Sequence, residues 1–154
     1  MDFETAEDDI VTQLQLKITD PNINIIPIPE EETEILPAFG KRQIIVAFAS
    51  EETDPDENTS VIIQNAHVTF SVLLQGKKLR GDTGLYPLAK LVKIALTGFI
   101  PTDCRELTYV SHRFVKNDKK VFEYVIDFKT QVTYVQDVDE ATGPPFVDLT
   151  INNN

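Results

Sequence analysis

Apolar residues recur along the chain with two periods, and the changes of period mark the elements. Over residues 3–18, Phe3, Ile10, Leu14 and Ile18 fall close to one stripe of a 3.6-residue repeat, with Ala6 and Val11 at its margins, which predicts a helix. Glu4, Glu7, Asp8 and Asp9 crowd its first turns, where the helix dipole favours negative charge, and Asp20-Pro21-Asn22 ends it. Residues 23–29, INIIPIP, then alternate like a short strand. Pro27 and Pro29 cannot donate ladder hydrogen bonds, so this strand belongs at a sheet edge. A connection, EEETEILPAFGKR, leads to QIIVAFAS at residues 43–50, apolar nearly throughout and predicted as a strand covered on both faces.

The next stretch, EETDPDENTS at residues 51–60, has five acids and no large apolar side chain, so an exposed, mobile loop is expected. A long strand follows over residues 61–78. Val68, Phe70, Val72 and Leu74 share one face, and His67, Thr69, Ser71, Leu73 and Gln75 the other. It exceeds the usual strand length of ~5–6 residues, so part of it is expected to project beyond the body of the domain. In the turn LRGDTG, Asp82 or Thr83 is positioned to cap a helix over residues 84–97. That helix carries a wide apolar stripe of Leu85, Leu88, Leu91 or Val92, Ala95, Leu96 and Phe99. Pro87 is tolerated in its first turn, Gly98 suits a left-handed cap, and Pro101 stops continuation. Two more strands, RELTYVSHRFVKN and KKVFEYVIDFKTQVTYV, flank Asn117-Asp118, a turn of hairpin type. In the second, Phe122, Tyr124, Ile126 and Phe128 line one face, while Glu123, Asp127 and Lys129 make the other partly wet. The order predicts an α+β domain over residues 1–136, an antiparallel or mixed sheet of four to five strands against two helices. A polar arm over residues 137–154 follows, in which residues 146–151 read as a short added strand or an arm.

Charge changes this picture more than composition does. The 154 residues carry a net charge of −11, unevenly placed. Residues 1–60 hold 15 acids and 3 bases, residues 61–136 hold 6 acids and 11 bases, and residues 137–154 hold 4 acids and no base. Such a chain repels nucleic acid at long range, while its basic middle suits an acidic surface, including that of another copy met head to tail. A solvated surface with no partner is the plainer alternative. Lys77, Lys78, Arg80 and Asp82 on the basic side, and Glu51, Glu52 and Asp54 on the acidic side, are the candidate protein-contact residues. No apolar run approaches the ~20 residues of a membrane span, and the acidic start MDFETAEDD is unlike a secretory signal. A single cysteine forms no internal disulfide, which fits a reducing compartment.

Cys104 with His112 is the one pairing that resembles a nucleophile and base. A working pair needs hydrogen-bond reach and a third group to orient the base, and nothing nearby in the sequence provides one. The competing description is a small residue in an exit turn and a histidine on a strand face. Two distant histidines and one cysteine lack metal-ligand spacing, EEETE and DPDE lack the calcium-loop pattern, and no Gly-rich phosphate loop is present. Arg-Gly-Asp at residues 80–82 is more simply a turn and cap. Lys77, Lys78, Arg80, Lys90 and Lys93 lack the interleaved aromatics of a nucleic-acid groove. Residue chemistry alone thus points to a non-enzymatic domain without cofactor or metal.

Residues 79–134 also carry an ordered series of short motifs: Leu79-Arg80-Gly81, Gly84-Leu85-Tyr86, Leu96-Thr97-Gly98-Phe99-Ile100-Pro101, Arg113-Phe114-Val115 and Phe122-Glu123-Tyr124. In order and spacing they resemble the Mu-like phage tail terminator family, the resemblance running roughly over residues 9–135. The resemblance implies a non-enzymatic, cofactor-free protein of the virion tail, at the neck, assembled in the host cytoplasm. It implies a hexameric ring that caps the completed tail tube, stops polymerisation and forms the tail side of the head–tail joint. Expected partners are further copies of the chain, the tube protein, the sheath protein of a contractile tail and the head–tail connector. DNA would pass the lumen without specific binding, and no membrane is involved. Another neck, tail-completion or sheath-capping protein, an enzyme using Cys104, and a binding module for basic partners are the alternatives.

Overall fold

The long alternating run becomes the middle of the sheet. The computed structural model describes residues 1–31, 41–55, 60–118 and 120–137. Most of the connection read between the first two strands, part of the acidic stretch and nearly all of the arm lie outside the described residues. The elements are α1 (Phe3–Lys17), β1 (Ile23–Pro27), β2 (Arg42–Thr53), β3 (Ile63–Gly76), α2 (Leu85–Leu96), β4 (Thr108–Asp118) and β5 (Val121–Val135). Five strands form one mixed sheet in the order β1-β2-β3-β5-β4. β1 runs parallel to β2 and the other pairs are antiparallel. With two helices on it, this is an α+β fold.

The pleat sorts the side chains. Val68, Phe70, Val72 and Leu74 of β3 stand beside Ile44 and Val46 of β2 and Ile126 and Phe128 of β5, all buried. Ile10 and Leu14 of α1 and Leu85, Leu88, Val92 and Leu96 of α2 join the same cluster, so both helices cover one face of the sheet. Burying residues of this size contributes roughly 1.5–3 kcal/mol each. Polar bonds fix how the helices sit. Gln13 donates to the Ala95 carbonyl, Gln15 to that of Ile25, and Asp9 accepts from the Thr102 N–H at 2.8 Å. At the bulge in β2, the Phe48 N–H turns out of the ladder and donates to Glu7 at 2.7 Å. Burial pushes the Glu7 carboxyl up, against the opposing effect of that bond. Asp2 caps α1 through the Glu4 and Thr5 N–H groups.

Neither Asp82 nor Thr83 caps α2. The N-cap is Gly84 and no side chain takes part. Instead the backbone doubles back: the Leu85 and Tyr86 N–H groups donate to the Lys78 and Leu79 carbonyls at 3.0 and 2.9 Å. Gly84 permits that approach, because a Cβ there would stand 2.4 Å from the Leu79 carbonyl carbon and oxygen. At the other end Gly98 takes the expected positive φ, 87°, but in a tight turn closed by the Phe99 N–H on the Leu96 carbonyl; its own N–H leaves the helix for the Leu107 carbonyl, and the Leu107 N–H donates to that of Phe99.

Three further expectations change. Glu51, Glu52 and Thr53 continue β2 rather than starting a loop, because β3 is long enough to supply partners in Val68, His67 and Ala66. The hairpin turn falls beyond Asn117-Asp118. Those residues pair with Phe122 and Val121, and Lys120 takes the positive φ of 62°. Glu123 is buried rather than wet. On the face away from the helices, Asn24 donates to Gln43, Gln43 to Gln75 and Gln75 to Glu123, at 2.9, 3.0 and 3.0 Å, so one polar row crosses β1, β2, β3 and β5. Ser71 and Ser111 both donate to Asp127 on the same face.

At the far end of the β2–β3–β5 ribbon Ile63 and Val135 are exposed. A bond from the Tyr134 hydroxyl to Glu51, 2.6 Å long, ties this end across the ribbon. First that bond and then burial push the Tyr134 phenol up to about 12.

Two outcomes follow. Gly84→Ala forces the Leu79 backbone away and is expected to cost roughly 2 kcal/mol, lowering the melting temperature by ~4–8 °C in a calorimetric scan. Tyr134→Phe is expected to cost about 0.5–1 kcal/mol at neutral pH, discounted for solvent screening. A phenol raised on folding stabilises fully below its unfolded value of ~10 and loses that contribution as pH climbs through the folded value. Spectrophotometric titration should therefore lose its component near 12 in the variant.

Candidate interaction surface

Of the two edges of the sheet, β1 is short and carries Pro27. The other edge, β4, is 11 residues long without proline, and among the described residues its only ladder partner is β5. Almost every residue of β4 is exposed, including Tyr109 (45%), Val110 (48%), Phe114 (53%) and Val115. Register fixes how they lie. Tyr109, His112 and Phe114 stand beside Phe128, Ile126 and Tyr124 on the helix side, while the bulges at Val110 and Val115 turn two further apolar side chains out of alternation.

The helices lie chiefly over β1, β2 and β3, so this end of the helix side stays open as an aromatic shelf. Tyr124 is ringed by Tyr86, His112 and Phe114 at centroid distances of 6.2, 5.3 and 5.4 Å, in edge-on arrangements. The Lys93 ammonium lies 4.7 Å above the Tyr109 ring, and the Arg80 guanidinium lies over Tyr86. The outer side of α2 adds Leu91 and Ile94, the latter 67% exposed. An open strand edge beside exposed aromatic side chains is a candidate association surface, since single domains seldom leave both uncovered.

The candidate contact residues separate into two poles. Lys77 and Lys78, with Lys41, Arg42 and Asp20, line a shallow cleft of about 170 Å³ where β2 begins and β3 ends. Asp20 pairs with Arg42 at 3.3 Å there. Arg80 lies nearby over Tyr86, and Asp82 is exposed in the turn before α2. Glu51, Glu52 and Asp54 stand at the opposite end of β2, roughly 30–40 Å away at the usual rise per residue. Glu51 is held by Tyr134, Asp54 faces His67 at 3.1 Å, and Glu52 is exposed opposite His67 in register. The chain thus carries acidic and basic ends too far apart to meet within one molecule.

Cys104 and His112 are not brought together. Cys104 closes a turn on Pro101 beside the far half of β5, where Arg105 bonds to Gln131. His112 stands at Ile126, about five residues or ~17 Å back along the strand. Burial, then the Asp103 and Asp9 carboxylates, push the thiol up, the opposite of an activated nucleophile. Burial, then Lys93, lowers His112. Among the described residues no group of three or more His, Cys, Asp or Glu side chains is placed to hold a metal.

The sequence reading missed the β4 edge and the outer side of α2. The available signal was excess: TYVSHRFV is apolar on both sides of a strand, and Leu91 and Ile94 widen the α2 stripe beyond what one core contact uses.

No curated protein matches the chain. Among solved structures, a chain in the virion of a native gene transfer agent (GTA) particle is similar at 14% identity, covering 81% of this chain and 92% of that one with a TM-score of 0.46. The sequence model of the Gp37 protein family matches residues 10–153. Since that match takes in nearly the whole chain, the acidic stretch and the end beyond Val135 included, the protein belongs to the Gp37 family.

Proposed function

We propose that this protein is a structural component of a phage-type virion, a tail terminator that closes the completed tail tube as a ring of identical subunits and forms the tail side of the head–tail joint. The observation that carries the reading is the open β4 edge with its aromatic shelf and the outer side of α2. This surface is assembled by the same run, residues 79–134, whose motifs resemble the tail terminators. Leu79 supplies the backbone cap of α2, Gly84 permits it, and Gly98 and Phe99 turn the chain back towards β4. Ring closure needs a heterologous contact in which two different patches of one subunit meet, and a chain with separate acidic and basic poles suits that geometry. Six copies, the tube, the sheath of a contractile tail and the connector are the proposed partners. The surplus of acids would flank a lumen through which DNA passes without adhering.

Native mass measurement of the protein, alone and mixed with tail tube, is expected to give a closed oligomer centred on six chains; monomer under both conditions removes the ring. In particles assembled without this protein, overlong tubes are expected in electron micrographs. Tubes of normal length without heads would instead assign it to a joining role in the neck. Cys104→Ala is expected to leave tail length unchanged and to cost at most about 1 kcal/mol, because the thiol is a half-buried turn residue. Loss of function in a folded Cys104→Ala protein would revive the enzymatic reading.

A further inference from the structure

The helical layer has two unlike flanks. Asp9 and Gln13 turn one side of α1 towards α2, through the Thr102 N–H and the Ala95 carbonyl. The other side of α1, with the end of β1, walls a groove of about 450 Å³. Phe3, Ile28 and Phe48 make its apolar part, with Phe3 stacked on Phe48 at a centroid distance of 4.1 Å. Glu4, Asp8 and Glu30 stand exposed along it. At the other flank, beyond α2, lies the aromatic shelf. We propose that a second copy of this chain covers the shelf and the outer side of α2, seating there the groove between its own α1 and β1.

Charge selects that occupant. The side of α2 opposite its buried stripe carries Lys90, Leu91 and Ile94, with Lys93 over Tyr109 and Arg80 over Tyr86 beside it. No acid occurs in α2, and no base lines the groove. Each surface thus sets exposed apolar groups among charges of one sign, and the two signs are opposite. Apolar area is buried on contact while ammonium groups meet carboxylates at its rim. Among the described residues Glu4, Asp8, Glu30 and Lys90 take part in no ion pair, so none has to be broken first.

Position decides between a neighbour and the chain itself. α1 lies over β1 and β2, whereas the shelf is built on β5 and β4 at the opposite end of the strand order, so the two surfaces cannot meet within one molecule. A two-fold pair that laid α2 on α2 would set Lys90 and Lys93 against their own copies, which like charges oppose. A head-to-tail contact meets neither obstacle. It also leaves every subunit with one surface of each kind for the next, which a ring requires.

The inference rests on the ring reading, and the test separates the two. Lys90→Glu and Asp8→Lys are made singly in the full-length protein, and native mass is measured alone and with tail tube. Each is expected to raise the dissociation constant of the ring at least tenfold, with an unchanged circular dichroism spectrum. An equimolar mixture of the two is expected to recover the ring, because every contact in an alternating ring is then either native or reversed on both sides. As a second arm, Cys104→Ser proteins carrying Ile94→Cys or Ile28→Cys are treated with a short bifunctional maleimide. A linked dimer is expected from their mixture and from neither alone. A ring that neither reversal weakens, or that the mixture fails to recover, overturns this contact and leaves the ring standing, as does a mixture that gives no linked dimer. A dimer from Ile94→Cys alone sets α2 against α2 and overturns it too. Monomer throughout, in the unaltered chain as well, overturns both readings.

Discussion

The register of β3 is the constraint on which the rest of the structure depends. It is the middle strand, paired along most of its length with β2 on one side and β5 on the other. Because side chains alternate, a slip of one residue would send Val68, Phe70, Val72 and Leu74 to the face without helices and strip α1 and α2 of their floor. The polar row on the other face enforces the same register independently. Gln75 receives from Gln43 and donates to Glu123, and a slipped strand would leave these buried groups without partners. Apolar burial and hydrogen bonding therefore select one alignment from opposite sides of a single sheet.

From that alignment the distribution of surfaces follows. The helices occupy one face over β1, β2 and β3, and the sheet outruns them in two directions. Lengthwise, β2, β3 and β5 run on into a ribbon braced by Tyr134 and Glu51. Sideways, β5 and β4 extend past α2 and leave aromatic side chains on an open shelf. Acidic and basic groups are held apart because they lie at opposite ends of β2 and β3, which act as rigid spacers between them. A small domain built this way is polar along its strands and apolar along one edge, and both properties direct it towards other subunits.

Much of the framework was legible before any coordinates. The periods of Phe3 to Ile18 and of Leu85 to Leu96 gave two helices, Pro27 gave an edge strand, and Gly98 gave a position of positive φ where the helix ends. Each of these is a local matter of φ, donor count or side-chain spacing, so a short window of sequence contains the answer. The α2 cap was not legible, because Asp82 and Thr83 are good capping residues. Only the return of the Lys78–Leu79 backbone, made possible by the missing Cβ of Gly84, removes the need for them. Glu51, Glu52 and Glu123 were misplaced for a related reason: an acid run looks like a loop, and a single acid in a strand looks wet, until the neighbours across the sheet are known.

What the sequence by itself determined is the set of elements and the faces they bury, because hydrophobic periodicity is carried within each segment. What only the tertiary structure decided is which apolar residues remain uncovered. Leu91, Ile94, Tyr109 and Phe114 are indistinguishable in sequence from core residues; the exposure of Tyr109 and Phe114 follows from β4 being last in the strand order and from α2 lying over β3 rather than β5, that of Leu91 and Ile94 from their lying off the face of α2 that packs on the sheet. Likewise Cys104 and His112 are eight residues apart in the chain, and the extended course of β4 beside β5 carries them apart. Strand order and helix placement are properties of the whole chain's packing, and the interaction surface is what that packing leaves over.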